Sequence, residues 1–120
     1  MWGIGNQSTF QKLTALTKVF EEGVEGEKVC LVGMLSAERG SLAPEPQEAL
    51  EKAIRNTLAI ITRIFEQGRE DQTVKSNSNP GNMALMFFSF LQGTQLSARS
   101  IGGKKEFRKM AKAMLETLKE

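Results

Sequence analysis

NPGNMALMFFSFLQGTQLSARSIGGKKEFRKMAKAMLETLKE, residues 79–120, is the stretch whose reading decides the fold. Asn79-Pro80 supplies an N-cap followed by Pro at the first helical position, so a helix starts there and runs to about residue 100. Met83, Leu85, Met86, Phe87, Phe88, Phe90, Leu91, Leu96 and Ala98 surround nearly its whole circumference, and a helix apolar on all sides must be buried on all sides. Gly102 and Gly103 break the chain. A final helix then carries Phe107, Met110, Ala111, Met114, Leu115 and Leu118 as one amphipathic stripe. Two helices this apolar cannot stand alone in water, and the expectation is that they form the dimerisation face of a small all-α, non-enzymatic domain.

Upstream, residues 68–78 turn polar and Ser/Asn-rich and read as a surface loop. Before it lies a long third helix that begins near Pro44 and Pro46, tolerated in a first helical turn, and continues to about residue 67. Leu50, Ile54, Leu58, Ile61 and Phe65 make its apolar face, widened by Ala53, Ile60 and Ile64. Glu48 to Lys52 and Glu51 to Arg55 have the favourable acid-first order at i,i+4. KVCLVGMLSAE, residues 28–38, reads as a short second helix stopped by Gly40. Ser8 followed by Gln11 fits a capping box, after which Phe10, Leu13, Thr17, Phe20 and Val24 follow at helical spacing. A first helix over residues 9–22 is therefore expected, ended by Gly23 and Gly26, with residues 1–8, including Trp2 and Ile4, as a loosely ordered start. The total is five helices in one domain spanning residues 1–120.

Strand signals are nearly absent, with no Tyr and no alternating Val/Ile/Thr run. Hydrophobic residues make up 40% and charged residues 25%, the proportions of an ordinary globular chain. Sixteen Lys and Arg against fourteen Asp and Glu give +2, with the signs interspersed instead of gathered into a phosphate-binding stripe. No apolar run approaches the roughly 20 residues a membrane-spanning helix needs. With no His and a single Cys, the usual zinc sets and every His-dependent triad are excluded, so neither a metal nor another cofactor is expected. The glycine pairs lack the following Lys-Ser/Thr of a phosphate loop. Paired acids such as Glu21 and Glu22 read as solvated surface rather than as acid/base catalysts. Cys30 reads as a small core residue, and a reducing cytoplasm is the simplest location.

Polar residues embedded in apolar helices remain: Asn56 and Thr57 on the third, and Ser89, Gln92, Gln95 and Ser97 on the fourth. Buried polar groups must be hydrogen-bonded, to neighbours, across a seam or to a ligand. For each of these, local bonding is at least as good a reading as ligand contact. Among the methionines, Met34 lies on the helix that would cover a cavity.

CLVGMLSAERG, then PEPQEALEKAI, then NPGNMALMFFSFLQGTQLSARS resembles the C-terminal regulatory domain of TetR-family transcriptional regulators, over about residues 8–118. The resemblance implies a homodimer whose last two helices pack as a four-helix bundle, with a cavity for a small apolar effector among the preceding helices. On that analogy Gly93 and Ser97 are the close-approach positions of the seam, and Phe90, Leu96, Met110, Met114 and Leu118 fill it. The pocket draws on Leu13, Phe20, Met34, Leu35, Thr57, Ile60 and Ile61. Such regulators also carry an N-terminal helix-turn-helix head and a connecting helix, neither of which has room before Thr9. No direct DNA binding by this chain is therefore expected, and an open groove should remain along the apolar faces of the first and third helices. A mixed dimer with a full-length relative is a further expectation. The contrasting reading is a ligand-free helical module whose groove receives a partner helix.

Overall fold

The computed structural model describes residues 8–24, 38–75 and 79–119. They form four α-helices and one 3-10 turn: α1 (Thr9–Glu22), the turn Arg39–Ser41, α2 (Pro44–Glu70), α3 (Pro80–Ile101) and α4 (Lys104–Leu118). The architecture is all-α, with four helices among the described residues where five were expected. The expected second helix, residues 28–38, lies outside them except for Glu38, which precedes the 3-10 turn. Residues 1–7 and 76–78 also lie outside the described residues.

Local chemistry sets the helix ends. Ser8 Oγ accepts from the Gln11 N–H at 3.2 Å while the Ser8 N–H donates to Gln11 Oε1 at 2.9 Å, so the capping box starts α1 where the sequence places it. Pro44 and Pro46 occupy the first turn of α2, and Gln47 Nε2 reaches back to the Leu42 carbonyl at 2.7 Å. Asn79 Oδ1 accepts from the Asn82 N–H at 2.8 Å at the start of α3. The α3–α4 turn needs glycine: Gly102 has φ +140° and Gly103 φ +72°, and the Gly103 N–H closes on the Ala98 carbonyl at 2.6 Å.

The end of α2 corrects the sequence reading. The helix runs on to Glu70, and Gly68, expected to open a loop, is buried inside the last turn. A Cβ at Gly68 would lie 2.6 Å from Val74 Cγ2 and 2.8 Å from Thr9 Cγ2. The missing side chain is what lets the start of α1 and Val74 close over the helix. Asp71 then caps α2 and accepts from the Thr73 hydroxyl at 2.6 Å, the Thr73 N–H at 3.1 Å and the Thr9 hydroxyl at 3.3 Å. These donors, the Thr73 hydroxyl foremost, hold its carboxyl below the ordinary carboxylate range. Gln72 turns with φ 60°, and the Lys75 N–H donates to the Leu118 carbonyl at 2.8 Å, tying this segment to the end of α4.

α2 and α3 share the most extensive packing, and α1 lies against all three other helices. Leu13, Leu16, Ile61, Leu91 and Phe107 form the fully buried centre. Edge-to-face pairs flank it, Phe20 with Phe88 at 6.0 Å and Phe65 with Phe87 at 5.8 Å.

Candidate functional site

Each residue of a helix turns roughly 100° from the last, so α3 can be divided into faces. Ala84, Phe87, Phe88, Leu91, Thr94, Gln95 and Ala98 point inward and are buried. On the opposite arc lie Leu85, Met86, Ser89, Gly93, Leu96, Ser97, Ser100 and Ile101, all exposed. The four large side chains among them are between 46% and 63% exposed, and no charged residue occurs from Pro80 to Ala98. Small residues run down the middle of this arc with large apolar ones on either side. A Cβ on Gly93 would meet nothing within 4 Å, so this position is open. Among the described residues α3 is therefore buried on its inner half alone, and the expected burial on all sides would need a second copy. Its outer half has no cover among the described residues.

Of the predicted seam residues, Gly93, Leu96 and Ser97 lie on this outer arc and Phe90 is half-buried at its edge. On α4, Met110 is exposed, while Met114 and Leu118 are half-buried against the core. Of the predicted pocket residues, Leu13 and Ile61 are fully buried in the core, with Phe20 and Ile60 packed against the same cluster. Thr57 is half-buried and its hydroxyl donates to the Ala53 carbonyl of its own helix at 3.0 Å. Met34 and Leu35 lie outside the described residues.

Among the embedded polar residues, Asn56, Ser89 and Ser97 prove exposed, whereas Gln95 is 2% exposed. Its Nε2 donates to the Phe20 carbonyl at 2.7 Å and pins the last turn of α1 to α3. Its Oε1 is buried and unpaired among the described residues. Flipping the amide would set oxygen against the Phe20 carbonyl, so the orientation is fixed by chemistry.

Among the described residues Leu13, Ile61 and Phe65 are buried in one core cluster, and an open hollow lies between α1 and α4. It encloses about 490 Å³, with Phe10, Ala111 and Leu115 as its apolar lining. At one end Arg108 Nε bonds Glu21 Oε2 at 2.9 Å and Lys104 Nζ bonds Glu22 Oε2 at 3.2 Å. At the other, Lys119 stands 5.9 Å from the Phe10 ring centroid and pairs with Glu116 at 3.1 Å. The sequence reading placed Phe10 and Leu115 on apolar faces but missed Lys18 and Lys112, which line the same hollow. Only the antiparallel pairing of α1 with α4, two elements far apart in the chain, brings them together. No group of residues able to hold a metal ion occurs among the described residues, and no described helix is long and apolar enough to cross a membrane.

Three comparisons bear on this geometry. The family described as "Tetracyclin repressor-like, C-terminal domain" matches residues 9–114. The HTH-type transcriptional repressor NemR of Escherichia coli strain K12 is 29% identical over 70 residues, which cover 58% of this chain and 35% of NemR. The crystal structure of a TetR-family transcriptional regulator from Agrobacterium tumefaciens superposes with a TM-score of 0.83 at 20% identity, covering 99% of this chain and 64% of that one. Reduced Escherichia coli NemR gives 0.80 at 19% identity, over 95% of this chain and 61% of that one. The chain spans about a third of the curated relatives' length.

Proposed function

This chain belongs to the tetracyclin repressor-like C-terminal domain family, and from that premise we propose that it is the dimerising, effector-sensing part of a TetR-type transcriptional regulator of the cytoplasm. The observation that carries this reading is the outer arc of α3, apolar, without charge and with small residues at its centre. Isolated monomers rarely leave so large a contiguous apolar face to water. A second copy of the same face, related by a two-fold axis, would cover it with itself. Ser89, Gly93 and Ser97 would then allow two α3 backbones to approach, with Phe90, Leu96 and Met110 filling the seam and Met114 and Leu118 backing it.

A small apolar effector would bind on the inner side, near Leu13, Phe20, Thr57, Ile60 and Ile61, with Met34 and Leu35 supplied by the neighbouring stretch. In an intact regulator its binding would alter the spacing of the two DNA-reading heads. Sedimentation equilibrium tests the first part: the chain should weigh as a dimer, and a monomer at all concentrations would sink the reading. A panel of small apolar compounds tests the second. At least one should raise the melting temperature, because a ligand that binds only the folded state stabilises it. No rise with any of them would favour a ligand-free interaction module instead.

A further inference from the structure

We propose that the groove between α1 and α4 is a second binding site, for a carboxylate with an apolar tail, its head between Lys18 and Lys112 and its tail along Phe10 and Leu115. Two contacts fix how the walls face one another. Glu21 meets Arg108 at 2.9 Å, and Phe10 meets Lys119 at 5.9 Å between ring centroid and Nζ. The helices therefore run antiparallel, with position 18 level with positions 111 and 112. Two ammonium-bearing side chains thus stand on opposite walls at the same height. Every acid lining the groove already has a cation: Glu21 has Arg108, Glu22 has Lys104 and Glu116 has Lys119. Neither Lys18 nor Lys112 has an ion-pair partner among the described residues. The local excess is positive, and an anion entering the groove at this height would be drawn to both lysines.

The remaining geometry orients that anion. Toward Arg108 the groove is closed by the two ion pairs, which offer no apolar surface to a tail. In the other direction Leu115 and Phe10 continue the apolar lining. Beyond Phe10 a second, shallower hollow opens, lined by Ser8, Gln11 and Ala15 and sharing Phe10, Thr14 and Lys18 with the first, so a longer tail has somewhere to go. The main hollow, about 490 Å³, falls within the size range of sites that take small organic ligands. Charge excess at one height and an apolar track on one side of it together specify an amphiphilic anion of small-molecule size. An acidic helix from a protein partner is the competing occupant.

Isothermal titration calorimetry of the chain with sodium octanoate and with octanamide, matched in tail and differing in charge, tests the assignment. Octanoate should bind about tenfold more tightly than octanamide at low ionic strength, the scale expected of a charge-assisted contact. The double variant Lys18→Gln/Lys112→Gln should bind both equally, and its unliganded melting temperature should match the parent because both lysines are exposed. Amide shifts on octanoate addition should gather at Phe10, Thr14 and Leu115 and spare Gly93 and Ser97. The proposal is overturned by no octanoate binding, by equal affinity for the two compounds in the parent, or by a preference that survives in the double variant. Binding of an acidic amphipathic peptide in place of octanoate would reassign the groove to a protein. None of these outcomes depends on the oligomeric state, so dimerisation stands or falls separately.

Discussion

α2 and α3 are neighbours of similar length, 27 and 22 residues, and they share the largest helix-helix contact of the fold, yet their outer faces have opposite chemistry. The outer side of α2 presents Lys52, Arg55, Asn56, Arg63 and Glu66 to water, with Arg55 held by Glu51 at 2.8 Å. That of α3 presents Leu85, Met86, Leu96 and Ile101 and no charge before Arg99. α2 shows that a charged outer face is compatible with everything the single chain needs in order to fold. Folding of the described residues therefore does not explain the uncharged face of α3, and this is the physical ground for the proposal that a second copy covers it.

The same acidic substitution on both faces should break this comparison if it is wrong. Leu96→Glu places a charge in the proposed seam, and the dimer dissociation constant should rise about a hundredfold or more, the scale of a central interface residue. Ala59→Glu puts the same charge on the exposed outer side of α2 and should leave the association unchanged. Sedimentation velocity over a dilution series reads both. Equal behaviour of the two variants would remove α3's outer face from the interface.

Two glycines sharpen the contrast at smaller scale. Gly68 on α2 is pressed by Val74 and Thr9, so Gly68→Ala must push side chains or backbone apart and should lower unfolding free energy by about 1–3 kcal/mol, the usual cost of overpacking. Gly93 on α3 is open in the single chain, so Gly93→Ala should raise monomer stability by about 0.5–1 kcal/mol through helix propensity. In the proposed dimer the added methyl would separate the two α3 backbones. Gly93→Ala should thus make dilute protein more resistant to urea while weakening association at higher concentration. A gain at every concentration would move the crossing point away from Gly93.

Legibility in the sequence followed the range of the physics. The bounds of α1 and the start of α3 rest on capping by Ser8, Gln11 and Asn79 within a few residues, and they were readable. The end of α2 was not, because what keeps Gly68 helical and buried is Thr9 and Val74 folding over it, and nothing local announces that. The apolar count on α3 signalled a need for cover, but it could not say that the described residues cover only its inner half. Gln95 looked like Ser89 and Ser97 in the sequence, and only the approach of Phe20 makes it the buried member. The α1–α4 groove depends on a register between helices almost a hundred positions apart, which no periodicity within either helix encodes.

The smallest effects lie along α2 itself, between its outer face and its C-terminal cap. Glu51 and Asp71 both have carboxyls held below their ordinary values of 4.5 and 3.8, Glu51 chiefly by its hydrogen bond from Arg55 and Asp71 by that from Thr73. A carboxyl depressed in the folded state adds stability above its unfolded pKa, and that contribution is lost as pH falls through the folded pKa. Asp71→Asn should therefore melt slightly below the parent from about pH 7 to about pH 5, with the gap closing as pH drops below the ordinary Asp value. Glu51→Gln should follow the same course with a smaller gap that salt erases, because its partner Arg55 is three-quarters exposed. Salt should spare the Asp71 gap, since Thr73 and Thr9 are neutral donors that link the cap to α1. Melting curves across this pH range at low and high salt decide it. A deficit for Asp71→Asn that persists undiminished into strong acid would mean that the shape of the side chain, and not its charge, holds the end of α2 against α1.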